Sequence, residues 1–260
     1  MSGRRRSASA HGSIPHHERE ATPTPAEPGL PNEVREVVDA LIAALGNDLA
    51  AIYWHGSYAR GEAKPDSDHD LIIVLKRADD DVLGRMADIF REREEWSTYV
   101  QTEDELRQYP RDGRLQFHFG VVPLYGGIEP PAFTREDIAN DIRVLARDIR
   151  FECRYRLLHS EPAYSSLPLE FQRARNARML RYAAKLTVLA LKARELLAGR
   201  EYPATQTELR SRLSDADEMA VLEVLERWAE VRAGYEADRR PLALLLDRVA
   251  RKLVSELPAE

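Results

Sequence analysis

The sequence predicts an α/β (α+β) domain with a mixed sheet, followed by an all-helical C-terminal domain. Three observations carry that expectation. Two short apolar runs, Ala50–Trp54 and Leu71–Leu75, flank a Gly-Ser turn and read as neighbouring strands. Helix-spaced apolar residues precede and follow them, which places helices against the sheet. Beyond about residue 165 the strand signals stop, and each periodic stretch repeats at helical spacing.

Length and composition set the bounds. At 260 residues the chain has room for one large or two modest domains, each with a real core. Its 43% hydrophobic and 32% charged residues are ordinary for a globular protein in water. A net charge of −6 argues against a general polyanion binder, so no nucleic acid partner is expected. No run approaches the roughly 18 apolar residues of a membrane span, so no membrane partner is expected either. Cys153 is the sole cysteine, which excludes an intrachain disulfide and fits a reducing cytoplasm.

Residues 1–28 are rich in Ser, Ala, Pro and charge, lack hydrophobic periodicity, and read as a disordered tail. Arg4-Arg5-Arg6 is followed by no apolar segment, so no export signal is expected. The first domain, 29–160, opens with a helix carrying Val34, Val37, Val38, Leu41, Ile42 and Leu45, stopped by Gly46. The first strand ends at Gly56, and the second begins near Asp68 and Asp70. Asp79-Asp80-Asp81 caps a helix with Leu83, Met86, Ala87 and Phe90 on one stripe. Glu95–Gln101 reads as a third strand, and Arg114–Val122 as another. Thr134-x-x-Asp137 opens a further helix, and Tyr155–His159 is either its tail or a last strand. Ser160–Pro168 reads as a hinge. The helical domain, 165–260, holds a long helix from about Phe171 to Ala198, a short one capped by Thr205-x-x-Glu208, one over Ala220–Val231, and a last one begun by Pro241.

The turn between the first two strands carries the chemistry. Residues i and i+2 of a strand face the same way, so Asp68 and Asp70 project together. Adjacent anions repel unless a cation lies between them, and carboxylate oxygens suit Mg²⁺. A Gly56-Ser57 turn leading into a helix offers N–H groups and a hydroxyl to phosphate. A phosphate cradle beside a divalent-cation site is the equipment of nucleotidyl transfer.

Gly56-Ser57, then Ala59-Arg60-Gly61, then Ser67-Asp68-x-Asp70 resembles the signature of the DNA polymerase beta-type nucleotidyltransferase superfamily. The pattern is nearest its aminoglycoside (streptomycin/spectinomycin-type) adenylyltransferases. The stretch from Glu95 through Tyr109-Pro110 to Arg114-Leu115-Gln116-Phe117 resembles the same enzymes. The resemblance covers roughly residues 31–125, and the helical domain in architecture alone.

It implies that Gly56 and Ser57 hold the phosphates of a nucleoside triphosphate, ATP being the first choice. Asp68 and Asp70 hold two Mg²⁺ ions. Glu95, or else Glu94, supplies a third carboxylate that takes the acceptor's proton or shares a metal; the plain alternative is that both end a helix in solvent. From the long helix, whose basic face carries Arg178, Arg181, Lys185 and Lys192, the resemblance implies a cation at the triphosphate, with Lys185 and Arg181 the candidates. Arg60 is expected to brace the turn, and His118 to approach the site or pack as a structural histidine. The implied acceptor is a hydroxyl-bearing small molecule, an aminoglycoside-like compound and antibiotic resistance among the possibilities. Glu170-Phe171-Gln172-Arg173 lacks the Trp and Asp expected for streptomycin itself. Two alternatives stay open: adenylylation of a protein, and a nucleotide-binding regulator without catalysis.

Overall fold

The computed structural model describes residues 30–64, 67–93, 95–108, 115–129, 132–159 and 168–258. The tail expected at 1–28, Glu94, and the expected hinge as far as Leu167 lie outside the described residues.

Helix α1 (Asn32–Leu45) forms because Val34, Val37, Val38, Leu41 and Leu45 share one buried stripe. Gly46 ends it at φ 51°, a region glycine enters freely. Strand β1 (Leu49–His55) runs into the one-turn helix α2 (Gly56–Ala59), and β2 (His69–Leu75) returns antiparallel to β1. Helix α3 (Asp80–Phe90) is capped by Asp79, whose carboxylate accepts the Val82 N–H at 3.1 Å. Strand β3 (Trp96–Thr102) lies parallel to β2, and α4 (Glu103–Gln108) follows. Strand β4 (Val122–Gly126) pairs antiparallel with the other edge of β1. The sheet is therefore mixed, in the order β3-β2-β1-β4.

Alternation along β2 decides where the site faces. Leu71, Ile73 and Leu75 pack with Ile52 against residues of α1 and α3, while Ile72 and Val74 turn to the other face with Ala51 and Leu106. Asp70 belongs to that second face.

The strand expected over 114–122 is not formed as such. Leu115–His118 is a short helix, α5, and β4 starts at Val122. Tertiary packing overrides the strand-like pattern here. Leu115 is buried in the helical core, Phe119 stacks on Tyr202 at 4.4 Å, and Gly120 turns the chain at φ 76°.

The remaining helices are α6 (Arg135–Leu158), α7 (Leu169–Leu197), α8 (Gln206–Arg212), α9 (Ala216–Glu226), α10 (Trp228–Ala237) and α11 (Arg240–Ser255). A full capping box starts α6, the Asp137 carboxylate accepting the Thr134 N–H at 2.8 Å and Thr134 Oγ1 the Asp137 N–H at 3.2 Å. Tyr155–Leu158 is the end of this helix. Ile138, Ile142, Ile149 and Cys153 of α6 are buried in one core with Leu180 and Leu191 of α7 and Leu246 and Val249 of α11. The stripe of α6 thus finds its complement on α7 and α11. The single helix expected over 220–231 divides at Arg227 (φ −102°, ψ 22°), and Trp228 is buried. Among the described residues no helix is long and apolar enough to cross a membrane.

Candidate active site

The chain leaves β1 at His55 and turns at Gly56 with φ 78°. The need for glycine is stricter than the turn alone requires, since a Cβ at this position would lie 1.8 Å from Asp70 Oδ2. Asp70 therefore seats its carboxylate directly on the backbone of the turn that opens α2. Ser57 follows on α2, half-buried. In the β1–β2 ladder His55 is the partner of Asp70, and in the β2–β3 ladder Ser97 is.

Asp68 stands exposed just before β2, and Asp70 is half-buried. Burial first, and then the charge of Asp68, push Asp70 up to about 6, while Lys185, Arg60 and a hydrogen bond from Ser97 act the other way. Burial and the charge of Arg60 push His55 down to about 4, against the pull of Asp68, so this imidazole is neutral at physiological pH. Two carboxylates two residues apart, the charge of one disfavouring ionisation of the other, are oxygen donors suited to a hard divalent cation.

Glu95 lies on the turn immediately before β3, its side chain exposed and its carbonyl accepting the His69 N–H at 2.8 Å. The side chain paired with Asp70 on β3 is Ser97. Among the described residues no group of three or more His, Cys, Asp and Glu side chains is arranged to hold a metal ion. Asp68 and Asp70 thus form a two-carboxylate set, with Ser97 bracing Asp70.

A stacked column of rings holds the carboxylate strand to the turn. His69, between the two aspartates in sequence, is buried with Tyr58 of α2 on one face at 4.1 Å and Trp96 of β3 on the other at 4.8 Å. Its Nε2 lies 3.2 Å from Glu33 Oε1 of α1.

The helical domain supplies the opposite wall. Lys185 of α7 is exposed, and its charge acts on Asp70. Arg181 instead sits with its guanidinium 5.6 Å from the centre of the Trp228 ring, within the bundle. His118 packs edge-on against Phe133 at 4.7 Å. Arg60 pairs with Glu62 at 3.0 Å, and its charge reaches His55, Asp70, Lys192 and Tyr202. The structure thus sets Asp70 against Gly56, with Ser57 and Asp68 next to them in the chain, and brings Lys185 near enough for its charge to act on Asp70. Sequence reasoning missed Ser97, His55 and the Tyr58–His69–Trp96 column. A Ser two residues beyond Glu95 was the available signal for the first, but only the strand register turns it into a neighbour of Asp70.

Residues 34–129 match the family model described as the nucleotidyltransferase domain. Among solved structures the chain is similar to a spectinomycin adenyltransferase, AAD(9), from Enterococcus faecialis, determined with ATP and spectinomycin. The identity is 13% and the TM-score 0.47, over 86% of this chain and 99% of that one. It is also similar to a toxin-antitoxin determined with AMP-PNP, at 15% identity and a TM-score of 0.28, over 47% of this chain and 93% of that one. No curated protein matches the sequence.

Proposed function

We propose that this chain, whose α/β half carries a nucleotidyltransferase domain, is a Mg²⁺-dependent adenylyltransferase acting in the cytoplasm. It moves AMP from ATP to a hydroxyl of a small molecule and releases pyrophosphate. The observation that carries this reading is the Asp70 carboxylate seated on Gly56, under the charge of Asp68 and facing the charge of Lys185.

Asp68 and Asp70 hold the metal in this reading, because cation binding relieves the repulsion that raises Asp70. When bound, Mg²⁺ supplies charge neutralisation at the reacting phosphate and the leaving pyrophosphate. The Gly56-Ser57 turn receives phosphate oxygens, Ser57 donating its hydroxyl, and Lys185 balances charge from across the cleft. Glu95, beside the Asp68 end of β2, takes the acceptor proton. The acceptor oxygen forms a bond to the α-phosphorus in line with the departing bridging oxygen, whose bond breaks as pyrophosphate leaves.

A second reading, a nucleotide-binding regulator, is favoured by one observation: the residue paired with Asp70 on β3 is a serine rather than an acid. The test is transfer of label from ATP carrying it at the α-phosphate. The protein is incubated with Mg²⁺ and, separately, an aminoglycoside panel, a lysate protein fraction or buffer, with Asp70→Asn as blank. Label on a small molecule, lost in the variant, supports the adenylyltransferase. Label on protein moves the reading to protein adenylylation. ATP binding with no transfer in any arm leaves the regulator or an acceptor outside the panel.

A further inference from the structure

We infer that the segment directly after the phosphate turn seats the helical domain, with Glu62 and Lys64 acting as positioning residues for Lys185. This rests on the adenylyltransferase reading for its kinetic consequence but not for its geometry.

The segment is continuous with the site at both ends. Ser57 and Tyr58 carbonyls accept the Glu62 and Gly61 N–H groups at 2.8 and 3.0 Å. Lys64 N–H donates to Ser67 Oγ at 2.8 Å, and the Lys64 carbonyl accepts the Ser67 N–H at 2.9 Å, next to Asp68. Phosphate turn, segment and carboxylate pair are thus one hydrogen-bonded piece.

From that piece two side chains reach the helical domain. Lys64 Nζ donates to the Leu225 and Glu226 carbonyls at 2.7 and 2.8 Å, the last two of α9, where the helix end favours a cation. Glu62 uses both carboxylate oxygens, Oε2 accepting from Arg60 Nε at 3.0 Å and Oε1 from the Gln206 N–H at the start of α8. The Arg60 stem rests on Gly120, where a Cβ would be 3.4 Å from Arg60 Cδ. Behind this link the buried Lys192 amine donates to the Ala204 carbonyl at 2.7 Å, just ahead of α8. Leu209 of α8 and Val221 and Leu222 of α9 share a core with α7, the helix that carries Lys185. Holding α8 and α9 against the turn therefore sets where α7 places Lys185.

The test is a double-mutant cycle. Affinity for a non-reacting ATP analogue with Mg²⁺ is measured by calorimetry in the wild-type chain, Lys185→Met, Lys64→Met and the double variant. Lys185→Met is expected to weaken binding roughly tenfold alone, but less than about twofold in the Lys64→Met background. Lys64→Arg, which keeps a donor for the α9 carbonyls, restores the larger Lys185 effect. A merely structural Lys64 would lower affinity without changing the effect of Lys185. Spin labels at Asp39→Cys on α1 and Ala233→Cys on α10 read the interdomain distance directly. The native Cys153 is buried and its thiol is pushed up to about 12, so it does not compete for label. Lys64→Met is expected to lengthen and broaden that distance. Equal Lys185 effects in both backgrounds, or an unchanged distance, overturn the inference. If the wild-type chain binds no nucleotide, the adenylyltransferase reading fails and the distance measurement alone decides this one.

Discussion

On the sheet side of the cleft, Gly56, Ser57, Asp68 and Asp70 belong to one short stretch between β1 and β2. Their places follow from strand pairing, with His55 and Ser97 the ladder partners of Asp70. On the helical side, Lys185 is positioned by α6, α8, α9 and α11 packing around α7. The first wall is fixed by a hydrogen-bonded ladder and one backbone contact, the second by side-chain packing. Metal coordination fails with errors of a few tenths of an ångström, whereas a charge acting through space weakens only as the inverse of distance. The groups that need coordination geometry therefore sit on the rigid wall, and Lys185, whose charge acts through space, sits on the wall that Glu62 and Lys64 tie to it.

The largest expected effects come from breaking the rigid wall. Asp70→Asn keeps the shape and removes the charge. Label transfer from ATP is expected to fall about 1,000-fold or more, roughly 4 kcal/mol at the barrier. The metal-free variant should melt higher than the wild type, because the repulsion with Asp68 is gone. Gly56→Ala comes next. Its methyl would meet Asp70 Oδ2, so the carboxylate must move, and the left-handed backbone adds about 1–3 kcal/mol of strain. Activity is expected to fall roughly 100-fold as the aspartate leaves its coordination geometry. Gly199→Ala is the matched control. It has φ 79° with nothing within 4 Å of the added carbon, so it should cost stability alone in a thermal melt.

The same contrast explains what the sequence revealed. Gly56, Ser57, Asp68 and Asp70 are close along the chain, and period-two alternation is enough to place both acids on one face. Ser97 is distant in sequence, and its pairing with Asp70 depends on a register that no local pattern specifies. Leu115–Val122 looks like a strand, yet the helical domain captures Leu115 and Phe119 and bends the chain at Gly120. The stripe of α6 was legible, but not the partners it would choose on α7 and α11. Lys185 was visible only as one of several cations on a basic face, because bundle packing decides which of them meets the cleft.

The walls should also separate by pH. Asp70 is raised to about 6 from an ordinary value near 3.8. Between those values the native protein keeps a proton that the unfolded chain has released, so metal-free stability falls as pH rises through this window and levels off above about 6. Mg²⁺ competes with that proton, so its apparent affinity should rise up to about pH 6 and then flatten. Lys192 behaves oppositely. Burial lowers it to about 8 from 10.5, so the unfolded chain binds the extra proton between those values and stability rises with pH across them. Thermal melts in buffers from pH 4 to 10.5, with chelator and then with Mg²⁺, read both limbs. Lys192→Met should flatten the alkaline limb and leave the acid one; loss of both would mean that the two walls unfold as one titrating unit.

The smallest expected effect is the most discriminating for the sheet wall. Ser97→Ala removes one hydrogen bond to the Asp70 carboxylate, a loss of about 1 kcal/mol, or roughly fivefold in kcat/KM. Because that bond favours the ionised form, its removal should carry the acid limb to higher pH in the metal-free protein. A fall in activity without that shift would place Ser97 in contact with a substrate instead of behind Asp70. A shift without a fall would mean that Gly56 and His55 alone fix the carboxylate tightly enough for transfer.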